Sequence, residues 1–381
     1  MIRPYCSVLT RRTRQASELH NPGYSRRMQQ SGFSLVELMV AMVIGLLLIG
    51  GMITVFSGTK RSAQVNSSMA MLQEHGRFAL NSIVSDVRMA GFQGCVDSQV
   101  KARIRATDAP TVDYSQTTIS SSMIMSDGSW TPAPPLNFTP PDDVGAPLAG
   151  THALSVQFGS PETREIEPMA SVANDVVITG NLPDIVTTGD LALISNCQVA
   201  DIFEVTQAAG GVLKHAAIGN NGDNRLSAPY GLSANSHARV MRFEANIYYI
   251  GNTQRTNPEG DEVYALYRQS WPYDRPPVEM VEGVSNMKIR LGYRDALSNS
   301  DIEYVDPQDG PAAAGRIESV EIGLLMQSFE QVGSSPDSRI YLLAGNAIQP
   351  STALNAEATR YVADRRMRLA FGSTVSIRNR R

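Results

Sequence analysis

The strongest pattern along the chain is an apolar run that carries no charged side chain from Leu38 to Phe56. A run of about 20 such residues is long enough to cross the hydrocarbon core of a bilayer as a helix. The pattern therefore predicts a transmembrane helix over residues 35–56. Six arginines stand ahead of the run against one carboxylate, Glu18. This positive bias predicts that the N-terminal side faces the cytoplasm and that the residues behind the span lie in the periplasm.

Behind the span, apolar residues continue at the spacing of one helix face. These positions are Val65, Met69, Leu72, Ala79, Ile83 and Val87. Polar residues, among them Gln73 and Asp86, lie between them. The pattern predicts one helix over residues 33–90, with Gly91 after its end because glycine readily adopts the left-handed conformation there.

From about Cys95 the period changes to the alternation of half-buried strands. The clearest alternating runs are 241–249, 287–293 and 320–326, and shorter ones are 154–158, 176–178, 191–195, 202–206 and 263–267. Strands do not alternate regularly with helices, which argues against a parallel sheet. The predicted fold class is α+β, in which a long N-terminal helix packs on a large, mainly antiparallel β domain over residues 91–381.

A segment of different composition lies at 126–150, where six prolines surround Trp130 and Phe138. Such a composition predicts an irregular surface loop rather than a core element. Two roles remain open for it. The loop either connects strands passively or offers exposed Trp and Pro as a contact surface for a partner subunit.

One carboxylate, Glu37, stands near the start of the apolar run. A charged side chain at the centre of a membrane helix costs about 2.5–3.5 kcal/mol, and less near its end, so Glu37 is expected to have a partner. The sequence Gly32-Phe33-Ser34-Leu35-Val36-Glu37 resembles the processing site of type IV prepilins and pseudopilins, and residues 28–51 most resemble the minor pilin family PilW. An ordinary membrane anchor with an isolated Glu is the alternative.

The resemblance implies a processing scheme and a pilin-like fold. It implies that prepilin peptidase cleaves after Gly32, which makes residues 1–32 a leader that is removed, and that Phe33 is N-methylated. It also implies that Glu37 pairs with the N-terminus of a neighbouring subunit during assembly. Translation from Met28 instead of Met1 is an open alternative that leaves the mature chain unchanged.

On this resemblance, the chain is expected to be a minor pilin that helps to prime type IV pilus assembly in a tip complex. Its expected partners are other minor pilins, the major pilin and a tip adhesin. The resemblance places it in the bacterial inner membrane as a single-pass protein with a periplasmic domain, and then at the pilus tip. Two alternatives remain: a J-like minor pseudopilin of a type II secretion system, and a pilin that binds a ligand or DNA for uptake.

The charge of the mature chain bears on the last alternative. Residues 1–32 hold six of the 33 basic and one of the 37 acidic residues, which leaves 27 basic and 36 acidic residues and a formal charge of −9. A nucleic-acid-binding surface needs a basic patch, so no nucleic acid is expected as a partner.

Two of the three cysteines, Cys95 and Cys197, remain after removal of a leader that holds Cys6. Because disulfides form and persist in the periplasm, Cys95 and Cys197 are predicted to be bridged. Two buried free thiols are the alternative.

No residue pattern signals catalysis or a cofactor. The five histidines form no HxxxH or HExxH array, and no phosphate-binding Gly-Lys-Ser/Thr loop occurs, so neither an enzyme nor a cofactor is expected. Three loops rich in carboxylates and amides, 220–224, 306–310 and 142–143, would suit calcium but are interpreted as turns, and no metal site is expected.

The C-terminal stretch is basic and resembles the last strand of PilW proteins and J-type pseudopilins over residues 374–380. Its pattern predicts that Val375 and Ile377 point inward and that Ser376 and Arg378 point outward. We interpret it as an edge strand whose charges resist aggregation. Contact with a membrane surface or an acidic neighbour is the alternative.

Overall fold

The computed structural model describes residues 32–96, 100, 102–111, 114, 118–180, 185–232, 237–295, 301–310, 315–351 and 360–379. The chain divides into two compact units, Met1–Thr59 and Lys60–Arg381. Most of the expected leader, residues 1–31, lies outside the described residues.

One long helix, α1 (Leu35–Met89), confirms the helix predicted over residues 33–90 to within two residues at its start and one at its end. Its C-terminal end has the expected geometry, because Gly91 has a φ of +75°. That conformation is strained for residues with a Cβ, which is why glycine suits this position. The backbone N–H of Gly91 donates outside the helix, to the carbonyl of Gln157 at 3.0 Å.

The second unit is built mainly of β-strands. In chain order the strands are β1 Arg103–Ile104, β2 Ile119–Ile124, β3 Trp130–Thr131, β4 Ala146–Pro147, β5 His152–Glu165, β6 Val176–Val177, β7 Leu191–Asn196, β8 Val199–Glu204, β9 Gln207–Ala209, β10 Val212–Lys214, β11 Arg239–Thr256, β12 Glu262–Ser270, β13 Val278–Glu282, β14 Val284–Asp295, β15 Glu303–Val305, β16 Gly315–Gln327, β17 Tyr341–Leu343, β18 Asn346–Ser351, β19 Arg360–Val362 and β20 Arg368–Ser376. A short 3-10 helix, Ala217–Gly219, follows β10.

The strands form two principal sheets. In the larger sheet the order is β1-β8-β7-β11-β5-β2-β3, and β4, β12 and β13 extend it from β11. The second sheet has the order β15-β14-β16-β20 and is antiparallel throughout. Within the described residues only β1 with β8 and β18 with β19 pair in parallel. The prediction of a mainly antiparallel domain is confirmed.

The main core of the second unit lies between residues 60–89 of α1 and both principal sheets. Leu72, Ala79, Ile83 and Val87 are buried there, as the helical spacing predicted, whereas Val65 and Met69 are only half-buried. The sheets supply mostly aliphatic side chains to this core from β5, β11, β14 and β16. Burial of these faces fixes the second half of the helix against the β domain.

Two buried polar groups connect the sheets to each other. The ring Nδ1 of His152, at the start of β5, lies 3.0 Å from both the backbone N and the backbone O of Ile289 in β14. The ammonium group of Lys288 donates to the carbonyl of Gly150 at 3.0 Å. Burial lowers the pKa of Lys288 to about 8.

The proline-rich segment differs from its prediction in one respect. The segment is largely irregular, as expected. However, Trp130 and Phe138 are only 8% and 7% exposed and belong to a buried hydrophobic cluster. The prediction that the segment contributes no core element is therefore wrong for these two residues, and the alternative of an exposed Trp as a contact surface is wrong as well. The rings of Trp130 and Phe138 lie 5.2 Å apart and pack with Tyr249 of β11. The prolines prevent regular secondary structure in the backbone. Burial of the aromatic side chains is still favourable because it removes their apolar surface from water.

Candidate functional site

The candidate site is the beginning of α1, where the six-residue motif lies. Gly32, Phe33 and Ser34 precede the helix and have no regular secondary structure. All three are exposed, and the Phe33 side chain is 86% exposed. A peptide bond in an exposed, non-helical segment is accessible to a protease. The bond between Gly32 and Phe33, which the sequence predicts to be cleaved, lies in such a segment.

Ser34 and Glu37 close the start of the helix with a reciprocal pair of hydrogen bonds. The backbone N–H of Glu37 donates to Ser34 Oγ at 3.2 Å. The backbone N–H of Ser34 donates to Glu37 Oε2 at 3.1 Å. This arrangement is a capping box, which satisfies two N–H groups that have no partner inside the helix. A carboxylate at this position also interacts favourably with the positive end of the helix dipole.

Both members of the capping box lie on the same side of the expected cleavage site. All four of its donor and acceptor atoms belong to residues 34 and 37, so cutting before Phe33 removes none of them. Cleavage would add one group, the α-amine of Phe33, next to Ser34. The carboxylate of Glu37 would then have both a neutral donor and a cation as available partners.

The rest of this part of the helix presents an apolar surface. From Leu38 to Phe56 the large side chains are exposed, and the described residues of the first unit contain no charged residue other than Glu37. The helix is long and apolar enough to cross a membrane, with a mean hydropathy of 2.6 in its most apolar window. Because exposing such a surface to water is unfavourable, it indicates membrane anchoring or coverage by other helices.

Two functional relationships were missed from the sequence. The spacing Ser-x-x-Glu before an apolar run is the signal of a capping box and could have identified Ser34 as the N-cap. The helical pattern marks Asp86 only as a polar position between apolar ones. Asp86 accepts hydrogen bonds from Asn246 Nδ2 at 2.8 Å and from Tyr248 Oη at 2.7 Å, which attach α1 to β11.

The predicted bridge between Cys95 and Cys197 is confirmed. The two residues form a disulfide with a Cα–Cα distance of 4.8 Å and a sequence separation of 102 residues. It ties the segment that follows α1 to the turn between β7 and β8. Both cysteines are exposed, so the bridge is accessible to reductants.

A groove of about 610 Å³ in the second unit lies between α1 and the loops after β13 and β16. His75 lines it, together with Arg255 and Glu282. Arg255 is bound by Glu279 and Glu282, with its guanidinium 2.5 and 3.2 Å from their carboxylates. Within the described part of the chain, no three His, Cys, Asp or Glu residues gather as metal ligands. The loop at 220–223 is a turn, closed by the Asp223 N–H on the Asn220 carbonyl.

Two comparisons connect this geometry with known proteins. Residues 27–53 match the prokaryotic N-terminal methylation motif. Residues 247–379 match the family Type IV Pilus-assembly protein W. Over these two stretches the chain is similar to PilW-like minor pilins of the type IV pilus.

The two matches cover different parts of the chain. The first contains Gly32, Phe33 and the capping box, and the second runs from within β11 through β20 to Asn379. No match was found among curated proteins or among solved structures. The family suggests association with other pilus components and a structural role.

Proposed function

We propose that this PilW-like pilin is a structural subunit, not an enzyme, that primes pilus assembly in a tip complex with other minor pilins. In this proposal, prepilin peptidase cleaves after Gly32, and Phe33 becomes the methylated N-terminus. Residues 35–56 hold the precursor in the inner membrane with the β domain in the periplasm. The helix then moves from lipid into the growing filament, where it contacts other minor pilins and the major pilin. A tip adhesin is a further proposed partner.

The observation that carries the proposal is the capping box at the start of an exposed apolar helix. The carboxylate of Glu37 accepts a hydrogen bond from the Ser34 N–H, and the residue is exposed. A hydrogen bond between ionised partners is roughly twice as strong as one between neutral groups. The α-amine of Phe33 on a neighbouring subunit would therefore displace the Ser34 N–H as the principal partner of Glu37. This exchange would select the register of adjacent helices.

Membrane burial makes that pairing selective. An unpaired carboxylate in a low-dielectric environment is costly, whereas an ion pair there recovers part of the desolvation cost. The remaining apolar surface exchanges lipid for neighbouring helices, with little change in hydrophobic free energy. The charged pair would thus distinguish a correctly placed neighbour from other apolar helices.

The decisive experiment is identification of the mature N-terminus. The full chain is expressed in its native cells and recovered from membranes and from sheared pili, and the N-terminal peptide is identified by tandem mass spectrometry. We expect N-methylated Phe33 in both fractions. A Gly32→Leu variant should stay in the membrane as uncleaved precursor. A mature protein that starts at another residue, or normal processing of Gly32→Leu, would contradict the proposal.

A further inference from the structure

The last strand of the domain has an unpaired edge. Among described strands, β20 pairs with β16 only, in a continuous register from Arg368 to Ser376. Beyond it, the Ile377 N–H donates to the Glu318 carbonyl at 2.8 Å. Along an antiparallel strand, the backbone N–H and C=O groups of successive residues point to opposite sides. The backbone groups of residues 375, 373, 371 and 369 therefore also point toward β16.

The intervening residues therefore direct their backbone groups away from the sheet. These are Ala370, Gly372, Thr374 and Ser376, all of them exposed, and no described residue bonds to their N–H or C=O groups. The same alternation places the Arg368 carbonyl outward, where Arg339 and Tyr341 donate to it at 3.5 Å each. The edge is thus covered at residue 368 and open from 370 to 376.

This open edge lacks the usual protection against strand addition. Natural edge strands are commonly protected by charged side chains, prolines or bulges. Residues 369–377 contain no charged residue and no proline, and the register of β20 has no bulge. The basic residues expected to protect this edge flank it instead. Arg366 and Arg368 are buried against Asp261 and Asp364, and Arg378 lies beyond the open stretch.

A groove of about 440 Å³ runs beside the same edge, between β20 and the end of α1. Its floor includes Leu80, Val84 and Met89 of α1, and Ser373 of β20 borders it. Arg88 lines one end, and no carboxylate of the described chain lies within ion-pairing distance of it. A strand laid along the edge would extend the sheet over this groove.

We propose that β20 accepts an extended segment of another pilus subunit as an added strand. The backbone of that segment would bond to residues 370–376. Its inward side chains would be apolar and cover Leu80 and Val84, and a carboxylate on it would pair with Arg88. This inference rests on the proposed function for the class of its partner. Added strands of this kind gain affinity from the main chain and specificity from alternate side chains.

Charge favours a different subunit over a second copy of this chain. An edge-to-edge dimer would place two copies of β20 side by side. Residues 365–379 contain no Asp or Glu, so a second β20 could not supply a carboxylate to Arg88. Such a dimer would instead place the Arg378 residues of both copies at the joined edges, where their like charges are unfavourable.

The test is photocrosslinking of the full chain in cells that carry the pilus system. Ser376 is replaced by a photoreactive benzoylphenylalanine. Residue 374 is then substituted in this photoreactive variant. Thr374→Pro removes one outward N–H without removing a bond to β16, whereas Thr374→Ala keeps that N–H. We expect an adduct with another pilus subunit that falls about tenfold in Thr374→Pro and is unchanged in Thr374→Ala.

A second pair of variants keeps the test valid if the proline disturbs folding. Arg88→Glu should reduce the adduct, whereas Arg77→Glu, exposed on the same helix and outside the groove, should not. Mass spectrometry of the adduct should find an extended segment with alternating apolar residues and an Asp or Glu. No adduct, an adduct insensitive to both Thr374→Pro and Arg88→Glu, or an adduct with a second copy would overturn the inference. The same samples report the mature N-terminus, which tests the proposed function separately.

Discussion

Tyr248 donates a hydrogen bond from its hydroxyl to Asp86 at 2.7 Å, and this bond attaches α1 to β11, the central strand of the larger sheet. Asn246 donates to the same carboxylate oxygen at 2.8 Å. Ser270 of β12 donates in turn to Asn246 Oδ1 at 2.6 Å. A polar network therefore continues from the helix through β11 to β12, beside an otherwise apolar interface. It fixes the position of the helix along the strand, which apolar packing alone specifies less strictly.

The first prediction concerns this network. Tyr248→Phe removes one donor from the half-buried carboxylate of Asp86, so we expect a loss of about 1–3 kcal/mol in the free energy of unfolding. Denaturant unfolding, followed by tryptophan fluorescence, measures this change. Tyr249→Phe is the matched control, because the buried Tyr249 hydroxyl has no hydrogen-bond partner among described residues. Its removal should leave stability unchanged or raise it, and equal losses in the two variants would contradict the network's role.

Much of the fold could be predicted because the pattern and the packing agree. The spacing of apolar residues along α1 predicts which face of the helix is buried. The alternation along β11, β14 and β16 does the same for those strands. Gly91 could be placed after the helix because few other residues adopt its conformation without strain. The pairing of Cys95 with Cys197 followed from the expected compartment and from the loss of Cys6.

The remaining relationships depend on distant parts of the chain. The partner of Asp86 lies 162 residues away, at Tyr248, and no local pattern in the sequence indicates it. Trp130 and Phe138 were misplaced because proline content reports irregular backbone but does not report side-chain burial. The edge position of β20 was predicted correctly, but its expected protection by charges was not, because the sequence does not show that Arg366 and Arg368 are buried against distant or neighbouring aspartates.

Close packing of the helix on the second sheet supports another prediction. A Cβ added at Gly76 would lie 2.3–2.6 Å from three ring atoms of Phe371. Gly76→Ala should therefore destabilise the domain by about 1–3 kcal/mol, even though alanine favours the helix. Phe371→Leu should restore part of the loss in the double variant, which a double-mutant cycle measures. Additive effects of the two substitutions would show that Gly76 and Phe371 do not constrain each other.

Loss of the disulfide should also destabilise the domain. Cys95→Ser opens a covalent loop between residues 102 positions apart, and we expect a loss of about 2–5 kcal/mol in the free energy of unfolding. Dithiothreitol should have the same effect on the wild type, because both cysteines are exposed. A Cys95→Ser, Cys197→Ser double variant should be no less stable than Cys95→Ser alone. Wild-type stability that does not respond to the reductant would contradict this prediction.

Acid should destabilise the domain through His152. Burial lowers the pKa of His152 to about 3, and the nearby charge of Lys288 acts in the same direction. Between that value and the ordinary pKa of about 6.5, the unfolded chain binds a proton that the folded chain does not. Stability is therefore full above pH 6.5 and falls as the pH decreases toward 3, by roughly 3–5 kcal/mol from this residue.

A matched pair of variants isolates the His152 contribution from those of the carboxylates. His152→Gln should flatten the pH dependence of unfolding between pH 6.5 and 3, while lowering stability at neutral pH by removing a buried polar contact. His237→Gln, at an exposed histidine, should keep the wild-type profile. Thermal unfolding across this pH range gives the comparison. If the His152→Gln and wild-type curves remain parallel, His152 is not the group that titrates.

The final prediction separates the two roles of Glu37, helix capping and charge pairing. Glutamine can accept the same hydrogen bond from the Ser34 N–H, because a capping box accepts either Glu or Gln at this position. Glu37→Gln therefore keeps the cap but removes the negative charge, whereas Glu37→Ala removes both. If Glu37 selects its neighbour by charge, both variants should be cleaved normally, remain in the membrane fraction and be absent from sheared pili. Immunoblots of the two fractions measure this distribution, and mass spectrometry of the N-terminus confirms cleavage. Normal incorporation of Glu37→Gln together with exclusion of Glu37→Ala would show that the cap is sufficient and that no ion pair with the Phe33 amine is needed.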